Sequence, residues 1–429
     1  MGFIDWLRSL FGGPRKLTRQ TARLDEDATD ADASHEQIEA SGGPLRPGRR
    51  RLVLRDPRLL PKPKPKTIDW RRQRKKVMSK EEAVRLFGAT LRTKNRKIRD
   101  LLPDEAQLSR YGLPLWRTEA ELATALGVSV RKLRWYSVHR PRERVTHYVQ
   151  YALPKRRGGE RLISAPKRGL KALQRKLLEA LVSKLPVSDA AHGFVKTRSI
   201  RTAAAPHLKP ALLLRFDLEE FFPSITYARL RGYLIAMGYG YPVAAALAVL
   251  MTEAERQPVV IEGQTYFVPV GPRVLAQGAP TSPGIANAIC LRLDRRLLGL
   301  AKKEGLAFTR YADDLSFSTP DPGFVVPRFL GNLRRIVEDE GFSLRRAKTK
   351  VMRPSKAQVV TGVTVNETLG LSRTERRRIR AMIHRQTAAG ATPSQEERRT
   401  LAGKLAYLNM LNPAQAEPLL RRARRIPKS

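Results

Sequence analysis

The sequence predicts an α+β protein, because segments with the apolar spacing of strands and of helices follow one another without a regular βα alternation. A nearly continuous apolar run at residues 211–216 is typical of a buried central strand. Two further strands are predicted at residues 306–310 and 315–319, on either side of a pair of aspartates. Amphipathic helices are predicted at residues 171–185 and 286–300.

Composition points to a polyanionic partner. The chain has 429 residues, enough for about two or three domains, and 41% of them are apolar. It carries 82 Lys and Arg against 40 Asp and Glu, which gives a formal net charge of +42. Self-repulsion of this size disfavours a compact chain unless an anion screens it. We therefore predict that the protein binds nucleic acid.

Cysteine, histidine and apolar content exclude several classes of protein. The single cysteine, Cys290, rules out an intramolecular disulfide and a Cys-rich zinc site, and we expect it to be a small buried residue. The six histidines show no metal-ligand spacing. No apolar run approaches the ~18 residues of a membrane span. The first residues lack the charged start and cleavage site of a signal peptide, so we predict a cytoplasmic protein without a membrane partner.

Residues 1–75 are predicted to form a disordered basic arm. An acidic stretch at residues 25–39 and a Pro-rich basic stretch at residues 61–66 have too few periodic apolar residues to offset their ordering entropy. Residues 1–11 are richer in apolar side chains. They are interpreted either as a short amphipathic helix that docks a partner or as a frayed terminus.

Two helical regions flank a mixed core. Residues 76–145 are predicted to be helical, with a capping box at Ser79 and a second helix after Thr118. Residues 146–366 form the core, which opens with a predicted hairpin of strands at residues 148–153 and 161–164. Residues 367–429 are predicted to be helical. One face of this tail is basic and includes Arg373, Arg376, Arg377, Arg378 and Arg380.

Three carboxylates carry the predicted chemistry. Asp217 ends the central apolar run, and Asp313 and Asp314 lie between the two later strands. An Asp pair alone is weak support, since most such pairs are turn or surface residues. Carboxylates brought together repel one another without cations, and Mg²⁺ prefers such hard oxygen ligands. We therefore predict that the three side chains bind two Mg²⁺ ions, with the backbone carbonyl of Leu218 as a further ligand.

Two motifs between these acids predict nucleotide contacts. If the ring of Phe222 lies beneath the sugar of an incoming nucleotide, it would exclude a 2′-hydroxyl and select deoxyribonucleotides. The alternative is that Phe221 and Phe222 are core residues. Further along, Gln277 and Gly278 open a loop before a helix, and glycine allows a close backbone approach. A templating base pair on this loop would bring Gln277 to the nucleotide.

In this order and spacing, the segment from Asp217 to Phe222, the Gln277-Gly278 loop and Tyr311-Ala312-Asp313-Asp314 resemble motifs A, B and C of reverse transcriptases. The resemblance covers roughly residues 115–366 and is strongest to bacterial retron enzymes of the myxobacterial kind, which have a long N-terminal arm. It implies a right-hand polymerase fold, with fingers, a palm built on an antiparallel sheet, and a helical thumb at residues 367–429.

The resemblance also implies roles for three basic residues. Lys155 and Arg161 lie in a segment that looks like the fingers hairpin and would bind the triphosphate of the nucleotide. Lys348 resembles the lysine of motif D and would protonate the leaving pyrophosphate, with Lys350 as a competing candidate. Lys348 thereby joins the three aspartates as a predicted catalytic residue.

Other residues are predicted to bind RNA. Val360-Thr361-Gly362 matches a triplet of retron enzymes that is implicated in recognising the cognate RNA. His207 keeps its place in the family's Asn-Ala-x-x-His pattern, although Ala203 stands where the Asn would be. Arg376 and Arg380 would bind the backbone of the template-primer from the thumb. The alternative for these arginines is a solvated helix surface.

Retron enzymes copy a structured non-coding RNA into multicopy single-stranded DNA, starting from an internal guanosine 2′-hydroxyl, and commonly act in anti-phage defence with an effector protein. The resemblance therefore implies four partners: the RNA template-primer, its DNA product, dNTPs and an effector protein. Two alternatives stay open. One is a reverse transcriptase of another lineage, such as a group II intron-like, CRISPR-associated or abortive-infection type. The other is a non-catalytic RNA-binding scaffold, which would have no need of three clustered acids.

Overall fold

The computed structural model describes residues 102–138, 143–154, 160–388 and 393–426, together with the backbone of residues 66–67 and 76–77. The predictions made for residues 1–11, for the acidic and Pro-rich stretches, for the helix after Ser79 and for Lys155 lie outside these residues. Within the described part of the chain, none of the helices combines the length and the apolar character needed to cross a membrane.

Helices make up most of the regular structure. They are α1 (Glu105–Arg110), α2 (Glu119–Ala125), α3 (Val130–Ser137), α4 (Arg168–Ala180), α5 (Ile200–Ala204), α6 (Tyr227–Ala236), α7 (Tyr241–Met251), α8 (Ser282–Ile289), α9 (Leu291–Lys303), α10 (Val326–Asp339), α11 (Arg373–Thr387), α12 (Gln395–Leu411) and α13 (Pro413–Ala423). Short 3₁₀ turns lie at Val182–Lys184, Ala205–His207 and Arg346–Lys348.

The strands are short and mostly antiparallel. They are β1 (Lys66–Thr67), β2 (Lys76–Val77), β3 (Tyr148–Pro154), β4 (Glu160–Pro166), β5 (Leu212–Asp217), β6 (Thr252–Glu253), β7 (Arg256–Ile261), β8 (Gln264–Pro269), β9 (Val274–Leu275), β10 (Ala307–Tyr311), β11 (Asp314–Thr319), β12 (Lys350–Met352), β13 (Val359–Val360) and β14 (Val363–Thr364). The mixture of helices and strands confirms the predicted α+β class.

A four-stranded antiparallel sheet, ordered β10-β11-β5-β12, holds the segments with the predicted acids. Strand β5 is buried on both faces except at Arg215, which explains its apolar sequence. Helices α9 and α10 supply side chains to the core on which the sheet rests. In this core Phe317 of β11 stacks on Phe308 at 4.5 Å between ring centroids and meets Phe329 of α10 edge to face at 5.0 Å.

The hairpin β3–β4 agrees with its prediction and joins β1, which lies in the arm predicted to be disordered. Several predicted helices are interrupted. The helix expected at residues 171–185 ends at Ala180, where Leu181 leaves the helical conformation with φ −122°. The helix expected at residues 286–300 belongs to two helices that meet at Cys290, which is buried as predicted. Gly127, with φ +64°, separates α2 from α3.

The three C-terminal helices have a small core of their own. Its buried side chains come from all three helices: Ile379, Ile383, Leu401, Leu405, Leu408, Ala416 and Leu419. Serine side chains cap α11 and α12 at Ser372 and Ser394, and the second forms a full capping box with Glu397. Within the described part of residues 367–429, these three helices span residues 373–387, 395–411 and 413–423.

Candidate catalytic site

The structure brings the three predicted acids together at one end of the four-stranded sheet. Asp217 is the last residue of β5 and lies opposite Asp314, the first residue of β11. The backbone nitrogen of Leu218 donates to the carbonyl of Asp313 at 2.9 Å. Ala312 has φ +56°, which makes the turn between β10 and β11 tight. The antiparallel register of three strand ends therefore fixes where the acids lie.

Among the described residues, three cations pair with this cluster, and the most distant is Arg345, whose Nε lies 3.9 Å from Asp217 Oδ2. The Lys348 Nζ donates to Asp217 Oδ1 at 2.7 Å, and Arg215 Nη2 donates to Asp314 Oδ2 at 2.6 Å. In the described part of the chain no cation pairs with Asp313, and burial, helped by the negative charge of Asp217, raises its pKa to about 6. Burial also raises the pKa of Asp314, although Arg215 opposes the shift. The cluster therefore combines carboxylates with internal cations, and burial opposes the charged forms of Asp313 and Asp314.

The donor set fits a divalent ion in chemistry but is not arranged around one. Among the described residues, no group of three or more His, Cys, Asp or Glu side chains is placed to hold a metal ion. The ion pairs with Lys348 and Arg215 engage one oxygen of Asp217 and one of Asp314. Asp217 Oδ2 is buried and has no hydrogen-bond partner among the described residues, with Arg345 Nε 3.9 Å away. Carboxylate oxygens are hard ligands of the kind that Mg²⁺ prefers.

A cleft of about 270 Å³ opens beside these acids. Its lining alternates acids and bases: Arg215, Asp217, Asp314, Lys348 and Lys350. Lys348 contacts an acid directly, whereas Lys350 lies on the exposed strand β12. Both lysines therefore line the cleft, and Lys348 is the one that contacts Asp217.

A buried polar network lies beneath the turn between β10 and β11, which contains Asp313 and is here called the catalytic turn. The sequence does not predict this network. Arg310 and Asp294 are each 0% exposed and form two parallel hydrogen bonds of 2.7 Å. Arg310 also donates to the side-chain oxygen of Asn287 at 3.0 Å and to the carbonyl of Ala312 at 3.1 Å. The only sequence signal is an arginine in a strand and an aspartate among leucines of a helix. The network holds the turn that precedes Asp313.

The same network reaches a second segment. Asn287 Nδ2 donates to the carbonyl of Gly193 at 2.8 Å. A Cβ atom at position 193 would lie 2.8 Å from the backbone nitrogen of Ala312, so only glycine allows this close approach. The next residue, Phe194, has φ +61° and a ring that is 46% exposed, 6.5 Å from the ring of Tyr311. An exposed aromatic side chain in a strained conformation thus lies beside the catalytic turn.

The residues predicted to bind nucleotide differ in how far their side chains are exposed. Phe221 is a core residue, while Phe222 is half-buried with its ring centroid 5.3 Å from that of Phe221. The carbonyl of Gln277 accepts a hydrogen bond from the backbone of Ser164 in β4 at 2.9 Å. Arg161 is exposed on β4. The loop at Gln277 is therefore joined to the hairpin by a backbone hydrogen bond.

His207 is placed differently from the other predicted RNA-binding residues. Its ring is 0% exposed, and its two nitrogens lie 2.7 Å from the hydroxyls of Ser318 and Thr309. Burial lowers its pKa to about 4, so it is neutral near pH 7. A ring enclosed in this way cannot contact RNA directly, and its predicted part in RNA recognition would be indirect, through strands β10 and β11.

The remaining predicted RNA-binding residues lie at or near the surface. Thr361 and Gly362, with φ +47° and +90°, form the turn between β13 and β14, while Val360 beside them is buried. Arg380 of α11 is exposed and Arg376 is half-buried. The turn and the helix thus present backbone groups and guanidinium groups to a ligand, and the side chain of Val360 does not take part.

Comparison with known proteins gives a consistent result. The family model described as reverse transcriptase (RNA-dependent DNA polymerase) matches residues 153–375. The chain is 58% identical to Retron Mx65 reverse transcriptase of Myxococcus xanthus, over 98% of this chain and 97% of that protein. It is 43% identical to Retron Mx162 reverse transcriptase of the same organism, over 74% of this chain and 68% of that protein. It is 33% identical to Retron Ec86 reverse transcriptase of Escherichia coli, over 65% of this chain and 81% of that protein.

Proposed function

We propose that this protein copies a structured non-coding RNA into multicopy single-stranded DNA. The chain belongs to the retron reverse transcriptases and is therefore an RNA-directed DNA polymerase. Synthesis would start from an RNA 2′-hydroxyl and give a branched RNA–DNA molecule. The observation that carries the proposal is the meeting of Asp217, Asp313 and Asp314 at one sheet end of a chain with net charge +42. A role in anti-phage defence with an effector protein, in the cytoplasm, stays a prediction.

The acids would act through bound cations. Two Mg²⁺ ions, when bound, would lower the pKa of the attacking hydroxyl and stabilise charge on the leaving oxygen. Asp217, Asp313, Asp314 and the carbonyl of Leu218 are the groups that would hold them. Arg215 would keep the carboxylate of Asp314 oriented through its 2.6 Å hydrogen bond. The chain's main contribution is thus to position charge before the reaction begins.

Lys348 would exchange one partner for another during the reaction. Its ammonium group lies 2.7 Å from Asp217 Oδ1 and would be released when cations neutralise that carboxylate. The freed Nζ would then donate a proton to the leaving pyrophosphate, while the proton of the attacking primer hydroxyl would pass to solvent water. A general acid at this point typically contributes about 10²–10⁴-fold to the rate.

The hand-like division of the fold follows from the same proposal. The four-stranded sheet would be the palm, the β3–β4 hairpin with Lys155 and Arg161 the fingers, and helices α11–α13 the thumb. Phe222 would exclude ribonucleotides, and Gln277 would reach the base pair. Arg376, Arg380 and the turn at Val360-Thr361-Gly362 would contact RNA, whose recognition rests largely on shape, phosphates and 2′-hydroxyls.

Replacement of Asp313 tests the proposal. Asp313→Asn keeps the size of the side chain but removes the charge, and should lower primer extension at least roughly a thousandfold, about 4 kcal/mol of barrier. RNA affinity should stay nearly unchanged in the same preparation. Asp321→Asn is the matched control, because Asp321 is exposed and follows β11, the strand that Asp313 precedes. This variant should extend primers normally. Near-normal extension by Asp313→Asn would reject the assigned role.

The retron reading has a separate test. Nucleic acid extracted from the purified protein should contain both RNA and DNA and should be shortened by RNase, DNase and debranching enzyme. Active enzyme that carries DNA resistant to debranching would favour a reverse transcriptase of another lineage. Wild-type protein that binds RNA but extends no primer would favour the non-catalytic scaffold.

A further inference from the structure

Helix α3 carries a surface that the catalytic proposal does not use. It borders a cleft of about 680 Å³, larger than the one beside the acids. The cleft is lined by Ser129, Arg131, Lys132, Arg134 and Trp135, here called the α3 surface. No residue of this surface lines the cleft with Asp217. The surface therefore needs an explanation separate from nucleotidyl transfer.

The backbone of the α3 surface is firmly held. Leu133, on the opposite side of the helix, is 0% exposed, and the side chain of Ser129 caps the helix by accepting from the nitrogen of Lys132 at 3.2 Å. Arg134 Nε donates to Glu119 Oε2 of the neighbouring helix at 2.8 Å. A surface built on a packed, capped helix presents its side chains without a large loss of conformational entropy on binding.

An aromatic ring and two cations lie side by side on this helix. Trp135 is 46% exposed, and its ring meets His147 edge to face at 5.7 Å between centroids, which orients the indole. Arg131 and Lys132 are exposed, and neither forms an ion pair with any acid in the part of the chain that the structure describes. The two positive charges are therefore available to an anionic ligand beside a partly exposed ring.

We propose that the α3 surface binds a single-stranded segment of RNA, with phosphates at Arg131 and Lys132 and a base stacked on Trp135. Bases stack on aromatic side chains whatever their identity, and cations that track the backbone complete such sites. An acidic polypeptide would satisfy the charges but leave the ring unused. The choice of RNA as the ligand rests on the proposed function. The α3 surface adds a contact surface that shares no residue with the cleft beside the acids.

Charge and ring give separate quantitative expectations. Each phosphate contact on a single strand contributes about 0.7 to the slope of log K against log salt, so Arg131→Glu/Lys132→Glu should reduce the slope by at least roughly 1.4. Stacking contributes about 1–3 kcal/mol per base. Trp135→Ala should therefore weaken binding by about 5- to 150-fold with little change in slope. Trp135→Phe should retain most of the affinity, because its ring still stacks.

The experiment measures binding of a fluorescent single-stranded RNA to the full chain by anisotropy across a salt series. Lys302→Glu/Lys303→Glu, at the exposed end of α9, is the matched control for the charge change. Thermal unfolding checks that each variant folds. The expected result is a loss of slope for the α3 charge variant and not for the control. Primer extension on a short template-primer should stay within about twofold of wild type, since α3 contacts none of the reacting groups.

Two outcomes would overturn the inference. One is an equal loss of slope in the Lys302 and Lys303 control, which would mean that net charge alone drives binding. The other is unchanged affinity in Trp135→Ala, above all if an acidic peptide displaces the RNA, which would indicate a surface for a protein segment. Failure of the proposed function would look different, because wild-type protein would then bind RNA at this surface yet extend no primer.

Discussion

Replacing Asp294 by asparagine removes one charge from the buried pair beneath the catalytic turn and leaves the guanidinium of Arg310 without its counter-ion. Both side chains are 0% exposed, so water cannot compensate. Removal of one partner of such a pair costs about 3–5 kcal/mol. This is a large share of the ~5–15 kcal/mol by which domains are stable. The expected result is a fall in unfolding temperature of roughly 6–20 °C.

The matched control is an ion pair of similar length at the surface. Arg117 and Glu105 lie 2.8 Å apart, against 2.7 Å for Arg310 and Asp294, but each side chain is about half exposed. Glu105→Gln should therefore leave the free energy of unfolding nearly unchanged, because solvent screens this exposed pair. Urea denaturation of the metal-free protein gives both free energies of unfolding on one scale. A change below about 1 kcal/mol for Asp294→Asn would refute the assignment of Arg310 and Asp294 to a desolvated pair.

A double replacement separates stability from positioning. Arg310→Met with Asp294→Leu replaces the pair by apolar groups, which is often neutral or even stabilising. It cannot restore the hydrogen bonds from Arg310 to Ala312 and Asn287. Stability should recover, while the rate of primer extension should stay about 10- to 100-fold low, equal to ~1.4–2.7 kcal/mol of barrier, with little change in KM for dNTPs. Recovery of both quantities would show that the network does not position the turn.

Three further predictions follow from single side chains. Because burial raises the pKa of Asp313 to about 6, this carboxyl is protonated below that pH. Primer extension at limiting Mg²⁺ should therefore fall as the pH drops through about 6. A pH profile that stays flat to about pH 5 would contradict this expectation. Phe222→Ala should raise ribonucleotide incorporation at least about tenfold, ~1.4 kcal/mol, and an unchanged incorporation ratio would place the ring elsewhere. His207→Ala leaves the hydroxyls of Ser318 and Thr309 without their buried partner and should cost about 1–3 kcal/mol in urea denaturation. The salt dependence of RNA binding should not change in this variant, and a smaller slope would show that His207 reaches RNA.

The sequence predicts the catalytic sheet well because its information is local. Strand β5 is buried on both faces, so its residues form an apolar run that no helix of that length requires. The turn at Tyr311-Ala312-Asp313-Asp314 separates two strands of β-prone residues, and antiparallel pairing then places Asp217 opposite Asp314. Pattern and pairing rules are sufficient here, since Asp217 is the last residue of β5 and Asp314 the first of β11.

Other features depend on tertiary contacts and could not be predicted. Asp294 lies on a helix and Arg310 on a strand, and only packing shows that each is the other's partner. The enclosure of His207 depends on hydroxyls about a hundred positions away, at Ser318 and Thr309. A pattern that places His207 near RNA-recognition residues does not say whether its ring faces the ligand or the core.

The two kinds of charge pair at this site have opposite consequences for function. The pair of Arg310 with Asp294 is sealed from solvent, so it can hold the turn but cannot exchange partners during a reaction. The pair of Lys348 with Asp217 lines an open cleft, and the lysine side chain is 43% exposed. On the proposed function, its ammonium group would exchange partners when a cation binds at Asp217. A sealed pair that fixes the backbone beneath an exchangeable pair would then allow the clustered acids to fold before a metal ion binds.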